Sequence, residues 1–261
     1  MADSHLTSQE YWESTWAQPD GGDSPPRSAF KRFLFQQPST RQLWQRILPS
    51  LMPAGPMRVI ELGSAPGRHL LPWHAVFGYE IFGADFSETG LARQRSLFAS
   101  HGISAEHSIQ ADFLNPDFHR AYQNAFDVVY SAGLIEHFAE PGEAIAAHLK
   151  LLKPGGHLVI SIPNIVGIYR RLLPQSTVDA HNLEIMTMPK FRALFDHREL
   201  ECRFCGYYGI LNLGIAFDDR TALHRVLPKL QIMANLLTRV IPIPNNRWTS
   251  PELLFIGRKL A

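Results

Sequence analysis

From Met57 onward the chain alternates short apolar runs with stretches of helical periodicity, and this alternation restricts the fold more than any other feature. MRVIEL is the first run and YEIFGAD the second; AEHSIQAD, FDVVYSA and HLVISIP follow. Between them a helix is expected from Gly67 to about Phe77, and another through SETGLARQRSLFAS, where Ser87 and Glu88 suit a helix start. A third runs from Glu143 to Leu152 and is stopped by LKPGG. Strands separated by helices form a parallel sheet with right-handed crossovers and helices on both faces. Later in the chain PKFRALFDH reads as a helix, ELECRFCGYYGI as a sixth strand and PELLFIGRK as a seventh.

Two segments lie outside this alternation. Residues 1–38 hold DGGDSPP, a loop-forming stretch between Tyr11, Trp12 and Trp16 on one side and Phe30, Phe33 and Phe35 on the other; they read as an N-terminal lid or cap. Ser39 or Thr40 is expected to cap a helix through TRQLWQRILPSL, which opens the main domain, 39–261. A helical insert, 211–249, separates strands six and seven. Its apolar face runs through Leu223, Val226, Leu227, Leu230, Met233 and Leu237, with Pro228 expected to kink or interrupt the helix. Packing onto its own domain is the first reading of that face; a homodimer through the insert or a wall over a substrate pocket is the second. Contact with a membrane surface through Arg225, Lys229 and Arg239 is the weakest, because the basic residues are few.

Composition narrows the function. With 261 residues, 45% hydrophobic, the chain can build one sizeable core. A net charge of +1, from 25 basic and 24 acidic residues, supplies no electrostatic footprint for nucleic acid. No apolar window is long enough for stable membrane insertion, and the N-terminus lacks the pattern of a signal peptide, so a cytoplasmic location is expected. Cys202 and Cys205 form a CxxC with only His197 nearby, too few ligands for zinc, and read as small buried residues on opposite faces of a strand.

The chemistry gathers at the strand ends, where open parallel sheets bind ligands. The first strand ends in ELGSAPG: Glu61 can contact polar groups, and Gly63 and Gly67 let the backbone turn close to a ligand. The second ends at Asp85, whose carboxylate can accept from two ribose hydroxyls; the third at Asp112, followed by Phe113 for stacking; the fourth near Ser131, leading into GLIEHF. This ordered set, with FDVV opening the fourth strand and LKPGG before the fifth, resembles the class I S-adenosylmethionine-dependent methyltransferases, over about Met57 to Pro163 and more weakly to Lys259. SAGLIEHF and KPGGHLVISIPN resemble the small-molecule members, and EYWESTW is similar to their aromatic lid. Where the family turn often reads GxGxG, this chain has Gly63, Ala65 and Gly67.

The resemblance implies a Rossmann-like, seven-stranded, mostly parallel α/β sheet with helices on both faces and an antiparallel last strand. It also implies S-adenosylmethionine as cofactor, with S-adenosylhomocysteine as product. Glu61 and Gly63 would lie by the methionine portion, with Ala65 and Gly67 completing the turn. Asp85 would hold the ribose, Phe86 would sit beside the adenine, and Asp112 with Phe113 would define the adenine end. Ser131 would lie near the sulfonium, with Glu136 and His137 toward the acceptor. His137 and His181 are the candidate bases, since imidazole titrates near neutrality. Asp179, His181 and Asn182 are a fragment of a metal set at uninformative spacing, and no metal is expected.

The acceptor implied is a small organic molecule methylated on oxygen or nitrogen; Ser131-Ala132-Gly133 stands where base-modifying enzymes carry an NPPY-like motif. Two alternatives share parts of the pattern. A nicotinamide-dependent enzyme would need a small residue at position 68, where this chain has Arg68. A catalytically idle S-adenosyl-binding protein would keep the same donor residues.

Overall fold

All seven apolar runs become strands of one sheet, because each places β-branched and aromatic side chains alternately on two faces that helices cover. The computed structural model describes residues 6–18, 37–196, 199–212, 226–241 and 243–260. The strands are β1 (Arg58–Leu62), β2 (Glu80–Asp85), β3 (Ser108–Gln110), β4 (Phe126–Ala132), β5 (Leu152–Pro163), β6 (Leu200–Tyr208) and β7 (Glu252–Lys259), in the order β3-β2-β1-β4-β5-β7-β6. β1 to β5 pair in parallel, and β7 inserts antiparallel between β5 and β6. The Rossmann-like sheet with an antiparallel last strand is thus as expected.

Period-two alternation divides the core. Ile60, Leu62, Val129, Leu158, Ile160 and Phe255 pack on one face, and Val59, Val128, Tyr130, Val159, Leu254 and Ile256 on the other. The first layer is closed by the helix Pro141–Leu151, through Ala144, Ile145, Ala147 and Leu149. The second is closed by Leu43, Ile47 and Leu48 and by Trp73 of the helix Leu71–Phe77.

Several local expectations change. Prolines start helices earlier than the polar caps do, since the lost N–H is unused in a first turn. Pro38, not Ser39 or Thr40, opens its helix, which runs Pro38–Gln42, passes through a π-helical turn at Leu43–Ile47 and ends at Leu48–Leu51. Pro141 likewise moves a helix start back from Glu143. Pro228 lies in the first turn of Leu227–Val240, so the described helix starts at the proline and is not kinked by it; whether the pattern is interrupted there falls on residues 213–225, Leu223 among them, which are outside the described residues. The helix after the first strand begins at Leu71 rather than Gly67. In the third run only Ser108–Gln110 is strand, with Ala105–His107 a 3-10 turn. LKPGG ends a helix but lies inside β5, with Gly155 at φ +77°.

The insert helix is turned against its apolar pattern. Gln231, Ala234 and Asn235 are buried, whereas Leu230, Met233, Leu236, Leu237 and Val240 are exposed. A hydrogen bond from Gln231 Nε2 to Asn235 Oδ1 (2.7 Å) satisfies part of the inward face, and Arg41 donates to the carbonyl and hydroxyl of Thr238. The expected packing of the apolar face onto its own domain is not what the structure has. On β6 a register shift between Cys202 and Phe204 breaks the alternation, so Cys202 is exposed and only Cys205 is partly buried. Burial pushes the Cys205 thiol up to about 11, against zinc or redox use. His197 lies outside the described residues.

Candidate active site

Strand order reverses between β1 and β4, and the crevice beyond their carboxyl ends is where an open sheet binds ligands. Here β1 runs into the Glu61–Gly67 turn. The N–H groups of Gly63 and Ser64 both donate to Ala84 of β2, at 2.9 and 3.2 Å. Gly63 and Gly67 take φ of +67° and +89°, which only glycine adopts without strain. Asp85 ties the turn down: one carboxylate oxygen accepts from Ala65 N (3.1 Å), the other from Ser87 N (2.9 Å). Beneath it, Ser64 donates to Gln94 (2.7 Å) and Gln94 to Ser108 (3.0 Å), a buried polar chain joining turn, helix and β3.

Above the turn lies a cavity of about 310 Å³, lined by Gly63 to Pro66, Asp85, Phe86 and Ala132 to Leu134, and covered by Trp12 and Trp16. The two tryptophans belong to the helix Gln9–Ala17, which buries none of its own residues. Polar contacts hold it in place. The Glu13 carboxylate accepts from the N–H groups of Glu88 and Thr89 (2.9 and 3.3 Å), at the start of the helix Glu88–Ser100. Arg93 donates to Gln18, and Leu6 N to the carbonyl of His137 (2.7 Å). A cavity with a carboxylate at one wall and indoles over another fits an adenosine-bearing ligand, whose ribose donates hydrogen bonds and whose base stacks.

A second cavity, about 530 Å³, adjoins the first and shares Arg68, His69, Ala132 and Gly133 with it. Strand register explains its polar wall. Glu61 pairs with Tyr130 across β1 and β4, and Glu252 is paired with Tyr208 and with Pro163. Because β7 is antiparallel, its first residue, Glu252, lies at the carboxyl ends of the others. Ser161 lies within hydrogen-bonding distance of Tyr208 Oη (3.0 Å) and donates to Glu252 (3.3 Å). Burial raises the Glu252 carboxyl to about 7, against the pull of His69 and Ser161. Burial also raises Glu61, whose Oε1 is 3.4 Å from His69 Nδ1; desolvation opposes the charge on His69, but Glu61 outweighs it and the imidazole is shifted up.

The far wall is Glu136, His137 and His181. The 3-10 turn Ile135–His137 follows β4, and the chain after β5 folds back onto it, with Asn182 N donating to the carbonyl of Glu136 (2.7 Å). Each imidazole is fixed by Nδ1 on a carbonyl oxygen: His137 on Ala180 (2.8 Å), His181 on Thr177 (2.5 Å). The rings are 4.6 Å apart, and Trp12 meets His137 edge-on at 5.1 Å. Burial, then the neighbouring His181, lowers His137 to about 4; burial also lowers His181. Glu136 is 1% exposed, neither of its carboxylate oxygens has a hydrogen-bond partner among the described residues, and burial raises it to about 8.

The structure therefore brings Gly63, Ala65, Asp85 and Phe86 to the first cavity and Glu136, His137 and His181 to the second. Glu61 is behind His69, and Gly67 shapes the turn from below. Three expected site residues lie elsewhere. Ser131 falls on the opposite strand face from Tyr130 and Ala132, fully buried, its hydroxyl on Nε2 of His148 (3.0 Å). Phe113 packs in the core against Phe138 and His148, and the exposed Asp112 accepts from Leu114 N; neither lines the cavity. Asp179 accepts from Gln175 (2.6 Å), and Asn182 donates to Phe138 and Ala139. His69, Tyr130, Tyr208 and Glu252 were not anticipated. For the three on strands, the signal was a polar residue at the end of an apolar alternation.

A family model described as a methyltransferase domain matches residues 30–203, more than half of the chain. The chain belongs to this methyltransferase family. A ubiquinone biosynthesis O-methyltransferase of Shewanella sp. (strain ANA-3) is 26% identical to this methyltransferase over 195 residues, 70% of this chain and 77% of the relative. A tRNA U34 carboxymethyltransferase of Idiomarina loihiensis is 28% identical over 118 residues, 45% of this chain but only 36% of the relative. Among solved structures, geranyl diphosphate C-methyltransferase from Streptomyces coelicolor A3(2), in complex with Mg2+, geranyl diphosphate and S-adenosyl-L-homocysteine, superposes with a TM-score of 0.61. It is 12% identical and covers 97% of this chain and 98% of its own. The cofactor of this methyltransferase is S-adenosylmethionine, and the nicotinamide alternative falls. Among the described residues no helix is long and apolar enough to cross a membrane.

Proposed function

We propose that this methyltransferase transfers the methyl group to an oxygen or nitrogen of a small organic acceptor held in the larger cavity. The observation that supports the reading is that the two cavities share Ala132 and Gly133 in their walls, so that an acceptor in the larger would lie beside a donor in the smaller. The cofactor supplies a methyl group already activated on sulfur, so the protein has to align, exclude water and manage one proton. Asp85 and the Gly63–Ala65 backbone would hold the donor, with Phe86 beside its base. The Gln9–Ala17 helix is the lid of this site, with Trp12 over donor and acceptor sides together and Trp16 over the turn. Tyr130, Ser161, Tyr208 and Glu252 offer hydrogen bonds to a polar acceptor, and Trp44 and Leu43 an apolar wall.

An acceptor hydroxyl has to lose its proton as the new bond forms. The neutral imidazoles of His137 and His181, each fixed by Nδ1 on a carbonyl, supply Nε2 lone pairs for that purpose. The test is a methylation screen over phenols, catechols, hydroxy acids and amines, with tRNA as the opposing arm. Methylated small molecules at saturating donor support the reading; methylation of tRNA alone overturns it. The match to the tRNA-modifying relative makes that arm necessary.

A further inference from the structure

Glu136, His137 and His181 point one carboxylate oxygen and two imidazole nitrogens into the same space, with the donor atoms all within 4.8 Å of one another. We propose that these three side chains bind one divalent first-row transition cation, of the zinc or cobalt class, at the acceptor end of the active site.

Three observations carry this assignment. First, the donor set is two imidazoles and a carboxylate, the composition of catalytic sites that keep coordination positions open for water or substrate. Second, both histidines already have the outer contacts that metal-ligating histidines show. Nδ1 donates to a backbone carbonyl, from Ala180 for one and Thr177 for the other, which fixes the tautomer and leaves the Nε2 lone pair as the free donor. Third, the Glu136 carboxylate is 1% exposed with both oxygens unpartnered among the described residues. Such burial is costly without a compensating ligand, and a cation would supply it. Two ligands about 2.1 Å from one ion stand roughly 3–4 Å apart, so binding needs the three side chains to draw in by about an ångström.

The open positions would face the larger cavity, which selects acceptors carrying an oxygen that can ligate a cation, such as a phenol with a neighbouring oxygen. This part rests on the small-molecule reading above. A hydroxyl coordinated there releases its proton to water more readily and keeps the electron pair for the new O–C bond. The donor's C–S bond breaks as that bond forms, with its pair staying on sulfur. With their Nε2 lone pairs on the cation the two histidines no longer accept the proton themselves, as they do in the metal-free reading above; they hold the ion that acidifies the hydroxyl, and water takes the proton.

Metal binding is measured without any acceptor, so its outcome is independent of the substrate class. Tag-free, chelator-treated full-length protein is titrated with Co2+, and the ligand-field absorption is followed, with competition by Zn2+. One equivalent is expected, with bands of four- or five-coordination. His181→Asn and Glu136→Gln should each weaken binding at least about tenfold. Stabilisation of His181→Asn by S-adenosylhomocysteine should match that of the parent, which shows that the donor half is intact. No saturable Co2+ band, or variants that titrate like the parent, would overturn the site. A bound metal with no methylated small molecule would leave the site standing and overturn only the acceptor class.

Discussion

A Cβ placed on Gly90 would lie 2.5 Å from the Cβ of Ala65 and 2.9 Å from Trp16 Cδ1. The methyl of Ala65, which departs from the usual glycine of the family turn, therefore points at a helix residue with no side chain. One missing Cβ makes room for both the turn and Trp16.

Gly90→Ala should weaken donor binding by about tenfold or more, because the turn or Trp16 must shift by more than half an ångström to clear it. Adding Ala65→Gly should restore part of the loss, a coupling that isothermal titration with S-adenosylhomocysteine in a double-mutant cycle would report. Equal binding by Gly90→Ala and the parent would contradict the packing.

The helix Gln9–Ala17 docks mainly by hydrogen bonds, with none of its residues buried. Deleting residues 1–16 should thus raise the Kd for S-adenosylmethionine several-fold while moving the chemical-denaturation midpoint little. Glu13→Gln should do the same to a smaller extent, since an amide keeps one acceptor for the Glu88 and Thr89 N–H groups but loses the charge. A large loss of stability with unchanged affinity would make the segment a structural staple.

His148 is fully buried, with Nδ1 on the carbonyl of Ala144 (2.7 Å) and Nε2 facing the Ser131 hydroxyl, and burial lowers it to about 4. An unfolded histidine titrates near 6.5, so between there and pH 4 the unfolded chain holds a proton that the folded one lacks. Stability from this group is full above pH 6.5 and falls as the pH drops, by about 3 kcal/mol at pH 4. Urea denaturation of His148→Asn should show an acid limb shallower by up to about 1.4 kcal/mol per pH unit within that window; an unchanged slope would mean that the imidazole is charged in the fold.

Alanine at both His137 and His181 should lower methyl transfer by roughly a hundredfold or more, with S-adenosylhomocysteine still raising thermal stability. Retained turnover would remove both residues from the chemistry.

Met233 and Leu237 face outward on the insert helix. Lysine at either position should change monomer stability by less than about 0.5 kcal/mol. A larger, concentration-dependent loss, followed by sedimentation, would mean that a second copy covers this face.

The donor half was legible because it is local: turn, strand ends and acids are each set by a few neighbouring residues, and Gly63, Asp85 and KPGG carry their own chemistry. The larger cavity, proposed for the acceptor, is assembled across the sheet. Glu252 joins it only because β7 runs antiparallel, and His181 meets His137 only because the chain after β5 folds back over the turn after β4. Ser131 and Phe113 were misplaced for the opposite reason. Proximity to a strand end does not say which face a side chain takes, and one residue of alternation sends the hydroxyl to His148. The insert helix followed its pattern in period and inverted it in direction, since buried Gln231 and Asn235 satisfy each other in part.

β7 is the last of the seven strands to be made, yet it sits inside the sheet, between β5 and β6. On the ribosome, β1 to β5 and the donor turn can therefore assemble while β6 has no partner in the sheet. The wall that Glu252 contributes arrives only when β7 slides in. Glu252 thus joins the cavity wall only after every strand that shapes the Glu61–Gly67 turn has been synthesised.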